Sequence, residues 1–256
     1  MRYNKIYLRE NGFPEKESMK QLLHFLYPPA CPVCGEIILP RGRDVCAGCE
    51  EKLHTVHEPM CMKCGVTLHY WEEEYCPECR KHTHQFERCF AMWEYDKYMK
   101  ASISRFKFQG RTEYTAFYVR HMTARYGMAL QALCIDVIIP VPIHKYRRRE
   151  RGFNQAELLA KELGRQLGVP VCTDYLLRVK KTKPQKELNA QERKKNLQQA
   201  FSCNRRRERE AKKWKRILLV DDIYTTGSTF DACAATLASA DSRKIYGICV
   251  CIGRRN

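Results

Sequence analysis

No stretch of this 256-residue chain approaches 18 consecutive apolar residues, which excludes a helical membrane span from the reading. The opening, MRYNKIYLRENGF, lacks the apolar run of a secretory signal, so a cytoplasmic protein is expected. With no export signal, the 15 cysteines lose their support as a disulfide framework, because disulfides persist in oxidising compartments. The first third also lacks any excess of positive charge: residues 1–88 hold 12 Lys/Arg against 13 Asp/Glu. Seven cysteines (Cys89, Cys134, Cys172, Cys203, Cys233, Cys249 and Cys251) have no ligand spacing and no nucleophile context; most are expected as small core residues.

What is present is a concentrated basic segment. Residues 145–216 carry 23 Lys/Arg and 8 Asp/Glu, nearly all of the net charge of +17. Such asymmetry suits a polyanionic partner: nucleic acid, a phosphorylated ligand, or an acidic protein or membrane surface. A solvated face that aids solubility is the plainer alternative.

Eight of the cysteines form four CxxC pairs with 11 residues between successive pairs. Each CxxC turn can set two thiolates on one side of a tetrahedral zinc ion, and a second pair closes the shell. CPVCG and CMKCG carry a Gly directly after the second Cys, whereas CAGC and CPEC do not. The repeating unit is thus CxxCG, a spacer and CxxC, twice at a period of 30 residues. This assigns Cys31, Cys34, Cys46 and Cys49 to one ion and Cys61, Cys64, Cys76 and Cys79 to the other, although spacing alone also permits an interleaved pairing. All-Cys sites leave no open coordination position, so both zinc ions are expected to be structural. Eight thiolates with two Zn²⁺ add about four negative charges, which disfavours DNA binding by this module through charge alone.

From about residue 89 the pattern changes. "CIDVIIPVPI", "RILLV" and "KIYGICVCI" read as buried strands, and "NQAELLAKELGRQLG" and "GSTFDACAATLASA" read as helices. Strands with continuous apolar runs alternating with helices imply an α/β fold with a parallel sheet covered on both faces. Ligands bind such sheets at the carboxyl ends of the strands, where Asp221 and Asp222 stand. The next residues, Thr225, Thr226, Gly227, Ser228 and Thr229, open a helix and offer backbone N–H groups and hydroxyls to a phosphate. Carboxylates beside a phosphate seat suit a sugar phosphate.

"VDDIYTTGST" resembles the phosphoribosyl pyrophosphate (PRPP) signature of type I phosphoribosyltransferases. The resemblance implies that Asp221 and Asp222 face ribose hydroxyls, that residues 225–229 hold the 5′-phosphate, and that Mg²⁺ arrives with the pyrophosphate. It also implies a pyrophosphate loop lined by Pro142, His144 and Lys145 in "IIPVPIHKYRRRERGFNQAELLA", and a closing loop at "KKTKPQKELNAQERKKNLQQAF". The four CxxC pairs followed by these segments, in this order, resemble the ComF family from about Leu22 onward. That resemblance implies a phosphoribosyltransferase-like domain over 89–256, preceded by an extension at 1–20 and a double zinc-ribbon module at 21–88. It further implies a cytoplasmic role in natural transformation, handling incoming single-stranded DNA, and a peripheral position at the inner membrane face reached through partners. The partners implied are a competence ATPase/helicase and a recombinase-loading protein.

Turnover of PRPP needs an acceptor held over C1′. No hood segment is expected after the last strand, so an acceptor site is expected from the zinc module or from residues 89–130. Arg147, Arg148, Arg149 and Arg151 directly follow the expected pyrophosphate loop, and Trp214 sits in a second basic cluster. Clustered cations with an aromatic for stacking fit a single-strand binder, while Trp214 fits a core position equally well. Two functions therefore stand: a DNA-handling adaptor with a PRPP or nucleotide site, and a phosphoribosyltransferase with an unidentified acceptor. Docking of proteins through the zinc module is compatible with both.

Overall fold

The computed structural model describes residues 29–38, 42–180, 199–238 and 243–253. The extension at 1–20 and nearly all of the expected closing loop lie outside these residues. The elements run α1 (Ala47–Glu50), α2 (Pro77–Lys81), β1 (Arg88–Glu94), α3 (Lys97–Phe108), α4 (Tyr114–Ala132) and β2 (Val137–Pro140). They continue with α5 (Lys145–Arg151), α6 (Gln155–Leu167), β3 (Leu176–Arg178), β4 (Phe201–Cys203), α7 (Glu208–Ala211), β5 (Arg216–Tyr224), α8 (Ser228–Ala238) and β6 (Lys244–Ile252). Among the described residues no helix is long and apolar enough to cross a membrane.

Four strands form one sheet in the order β1-β6-β5-β2, and every pairing is parallel. The α/β expectation holds, and the apolar runs show why. In β5 the alternation of a strand sends Ile217 and Leu219 into one layer and Leu218 and Val220 into the other. The first layer is closed by α8 and the antiparallel pair β3 and β4, the second by α3, α4 and α6. Helix α6 has Leu159, Ala160 and Leu163 buried on one face, is capped by Asn154 Oδ1 on Ala156 N, and stops at Gly168 in the left-handed region. Removing one such side chain, as in Leu219→Ala, costs about 2–5 kcal/mol.

The cysteine-rich segment is built into the sheet edge. Val56 N donates to Met92 O at 3.1 Å, Glu94 N to His54 O at 2.8 Å and Cys89 N to Lys63 O at 2.7 Å. These bonds occupy the outer edge of β1, which would otherwise present unpaired backbone. The ribbon halves then divide between the layers: Cys61, Cys64 and Cys76 pack with Phe86, Tyr224 and Phe230, while Cys31 and Cys49 pack with Trp93, Met99 and Phe106.

Two local expectations are corrected. Strand β5 does not stop at Val220 but runs through the acidic pair to Tyr224, because β6 continues to pair with it as far as Ile252. The stretch after the expected pyrophosphate loop is helical from Lys145, with His144 Nδ1 accepting from Tyr146 N as the cap.

Candidate functional site

The site lies where β2 ends and β5 goes on. Pro140 is the last β2 residue in register, opposite Val220, and Val141 N still donates to Val220 O. Past that point, from Asp221 on, β5 runs on without β2 as its partner. This is the carboxyl-end crevice at which parallel α/β sheets take ligands.

Asp222 is buried and bonded to Lys107 Nζ at 2.8 Å. Asp221 Oδ1 accepts from Asp222 N at 2.8 Å. Burial, and then the neighbouring Asp222 charge, push the Asp221 carboxyl well above the ordinary carboxylate range. Around the acids stand cations from three elements. Burial and Arg147 hold Arg151 below its ordinary value while Asp222 opposes them. Arg178 is depressed by burial and by Arg147 in the same way, opposed in part by Asp221. Guanidinium groups stay charged through such shifts, so the cleft presents two acids within a surplus of fixed positive charge. That combination suits a ligand with both hydroxyls and phosphates.

Below the acids the chain turns into α8. Gly227 has φ +81, and a Cβ there would lie 2.3 Å from Tyr224 Oη and 2.9 Å from His84 Cε1, so only Gly fits. Thr225 and Thr226 are exposed, Ser228 and Thr229 half-buried, and Thr226 Oγ1 lies 2.8 Å from Ser228 Oγ. Hydroxyls and amide groups thus gather at the start of an 11-residue helix, where an anion is favoured.

His84 ties this loop to the second cysteine cluster. Its Nδ1 donates to Asp231 Oδ2 at 2.8 Å, and Asp231 Oδ1 accepts from Gln85 N at 2.8 Å. On the other side His84 Nε2 lies 3.5 Å from Cys79 Sγ, and the ring stacks on Phe86 with centroids 4.8 Å apart. The first turn of α8 is therefore fixed by a residue next to a metal-ligand position.

The cysteines gather into two groups, Cys31, Cys34, Cys46 and Cys49, and Cys61, Cys64, Cys76 and Cys79. Within each group the sulfurs all lie within 4.8 Å of one another. Cys34 and Cys46 Sγ are 3.8 Å apart and Cys64 and Cys76 Sγ 3.7 Å, against the ~3.8 Å edge of a tetrahedron with Zn–S of about 2.3 Å. Both donor sets fit a zinc ion, in the pairing that the 30-residue period favours. Gly35 and Gly65 follow the knuckles with φ of +88 and +77, as the CxxCG repeat requires.

The other expected residues fare unevenly. Pro142 and His144 are half-buried and Lys145 exposed on the loop and cap after β2. Arg147 and Arg149 are exposed; Arg148 pairs with Glu157 at 3.1 Å, and Arg151 donates to Gln155 Oε1 at 3.2 Å. Trp214 is corrected: it is 7% exposed and packs edge-on to Tyr175 with centroids 5.3 Å apart, so no base can stack on it. Its cluster also leads into the amino end of β5, the far end of the strand from the acids. Lys107 and Arg178 were not anticipated: Lys107 lies in the last turn of α3, and Arg178 sits in a three-residue strand just before the expected closing loop.

Comparison with known proteins gives a consistent picture. A double zinc ribbon family model matches residues 22–80, and a phosphoribosyl transferase domain model matches residues 152–256. The chain is 37% identical over 132 residues to competence protein F of Haemophilus influenzae, covering 50% of this chain and 57% of that one. It is 30% identical over 168 residues to DNA utilization protein YhgH of Salmonella typhi, covering 64% of this chain and 72% of that one. With competence protein ComFC of Bacillus subtilis it shares 32% identity over 148 residues, 57% of this chain and 56% of that one.

Proposed function

This chain belongs to the ComF family, and on that premise we propose that the Asp221–Asp222 cleft takes a phosphorylated ribose in a protein that handles incoming single-stranded DNA. The ligand is PRPP or the nucleotide end of a strand. The observation that supports this reading is the gathering of Asp221, Asp222, Lys107, Arg151 and Arg178 near the Thr225–Thr229 loop at the carboxyl end of the sheet. In this reading the acids accept from ribose hydroxyls, the loop amides and hydroxyls hold the 5′-phosphate, and His144 and Lys145 border the pyrophosphate. Mg²⁺ carried by the pyrophosphate would find carboxylate oxygens, the donor type it takes, on Asp221 and Asp222.

Arg147 and Arg149, exposed on α5 beside the cleft, supply backbone affinity for a strand. The two zinc ions act structurally, holding the ribbons against β1. Tyr70 and Trp71, 67% and 75% exposed on the second ribbon, suit docking of a competence ATPase/helicase or a recombinase-loading protein. The protein then acts in the cytoplasm, reaching the inner membrane face through those partners. Transfer of the phosphoribosyl group to an acceptor is the competing reading, with Phe108, 64% exposed at the end of α3, as the surface an acceptor would meet.

Fluorescence anisotropy of a labelled single strand, with a duplex of equal length as control, tests the DNA-handling reading. Preference for the single strand and a steep loss of affinity with salt are expected. Equal or absent binding, with pyrophosphate release from PRPP once an acceptor is supplied, would favour the transferase.

A further inference from the structure

Phe108 is the last residue of α3 and is 64% exposed. A single exposed aromatic needs no explanation by itself. This one is held in place, and held beside the cleft. The Arg151 guanidinium lies over the ring, 4.7 Å from its centroid. Arg151 is anchored in turn by Gln155 Oε1 at 3.2 Å, and Gln155 is 1% exposed. Gln155 Nε2 also donates to Lys107 O at 3.5 Å, which fastens the end of α3. The adjacent Lys107 is the residue whose Nζ bonds Asp222 at 2.8 Å. One short chain of contacts therefore runs from the acidic pair to an aromatic face, with a cation behind it and solvent before it.

We propose that Phe108, backed by Arg151, is a stacking platform for an unpaired nucleobase whose ribose and phosphate reach the Asp221–Asp222 cleft. This inference rests on the cleft reading above and names the ligand class: a nucleotide within, or at the end of, a single strand. Every base has a π-face, so a flat ring offers sequence-tolerant affinity. The guanidinium adds a cation–π contact on the ring's covered side and charge for the strand's phosphates. The surface so formed offers the stacking face that the buried Trp214 cannot.

The test compares ligands with and without a base. PRPP has ribose and phosphates only; uridine monophosphate and a labelled oligothymidylate carry bases. In Phe108→Ala the affinity for the monophosphate and the strand should fall about tenfold, and PRPP affinity should stay at the wild-type value. Phe108→Trp should restore binding, with indole fluorescence quenched as the strand is added. Unchanged nucleotide and strand binding in Phe108→Ala, with PRPP still bound, would overturn the platform alone. Equal weakening of all three ligands would overturn it too, since it would mark Phe108 as structural. Wild-type protein that binds none of the three would overturn the cleft reading and this inference with it.

Discussion

Replacing His84 with Ala probes the join between the zinc ribbon and the loop proposed to hold phosphate. The imidazole side chain is 3% exposed, bonds Asp231 at 2.8 Å and lies 3.5 Å from Cys79 Sγ. Removing it leaves Asp231 Oδ2 without its donor while Oδ1 keeps Gln85 N. A hydrogen bond to a charged group is worth about 1.5–3 kcal/mol, before the void against Phe86 is counted. For a chain of this size each kcal/mol moves Tm by about 2–4 °C, so a fall of roughly 3–12 °C is expected. Since α8 loses an anchor in its first turn, PRPP affinity should weaken several-fold as well. All eight cysteines remain, so zinc content, read with a chromogenic chelator, should stay at two ions. Thermal unfolding and calorimetry on the same preparation give both readouts. A Tm within about 1 °C of wild type, with unchanged affinity, would refute the coupling of ribbon to loop.

Further outcomes follow from the charges. The native state holds the Asp221 proton more tightly than the unfolded chain, so its contribution to stability is fully present below the unfolded pKa and is lost as pH rises through the raised folded pKa. Asp221→Asn should therefore raise Tm at pH 8 and leave it nearly unchanged at pH 4; thermal unfolding at the two pH values checks this, and an equal effect at both would contradict it. Replacing Arg147 and Arg149 together by Ala should flatten the salt dependence of single-strand affinity, by about 0.7 in slope for each phosphate that no longer meets a cation. An unchanged slope in anisotropy titrations would remove α5 from the proposed DNA surface.

Much of this site could be read in the chain because its elements are local. The CxxCG repeat fixes knuckle conformation over five residues, and the apolar runs that became strands need no distant partner to be seen. The acidic pair and the small-residue loop are contiguous, so their chemistry survives without a fold. What could not be read depends on long-range closure. His84 meets Asp231 across 147 residues, and Lys107 meets Asp222 only because α3 ends over the crevice. Trp214 misled for a related reason: its neighbours Lys212, Lys213, Lys215 and Arg216 suggest an exposed segment, while the indole turns inward onto Tyr175. Helix α5 carries no apolar periodicity at all. Its His144 cap and its end at Gly152, φ +81, define it instead.

The central claim is that the Asp221–Asp222 cleft binds a phosphorylated ribose. Isothermal titration of PRPP in the presence of Mg²⁺, with wild-type protein and with Asp222→Asn, tests it most directly. Saturable one-site binding by the wild type, weakened at least tenfold in Asp222→Asn with both zinc ions retained, is the expected result. No heat of binding in the wild type, or equal affinity in the two proteins, would contradict the claim.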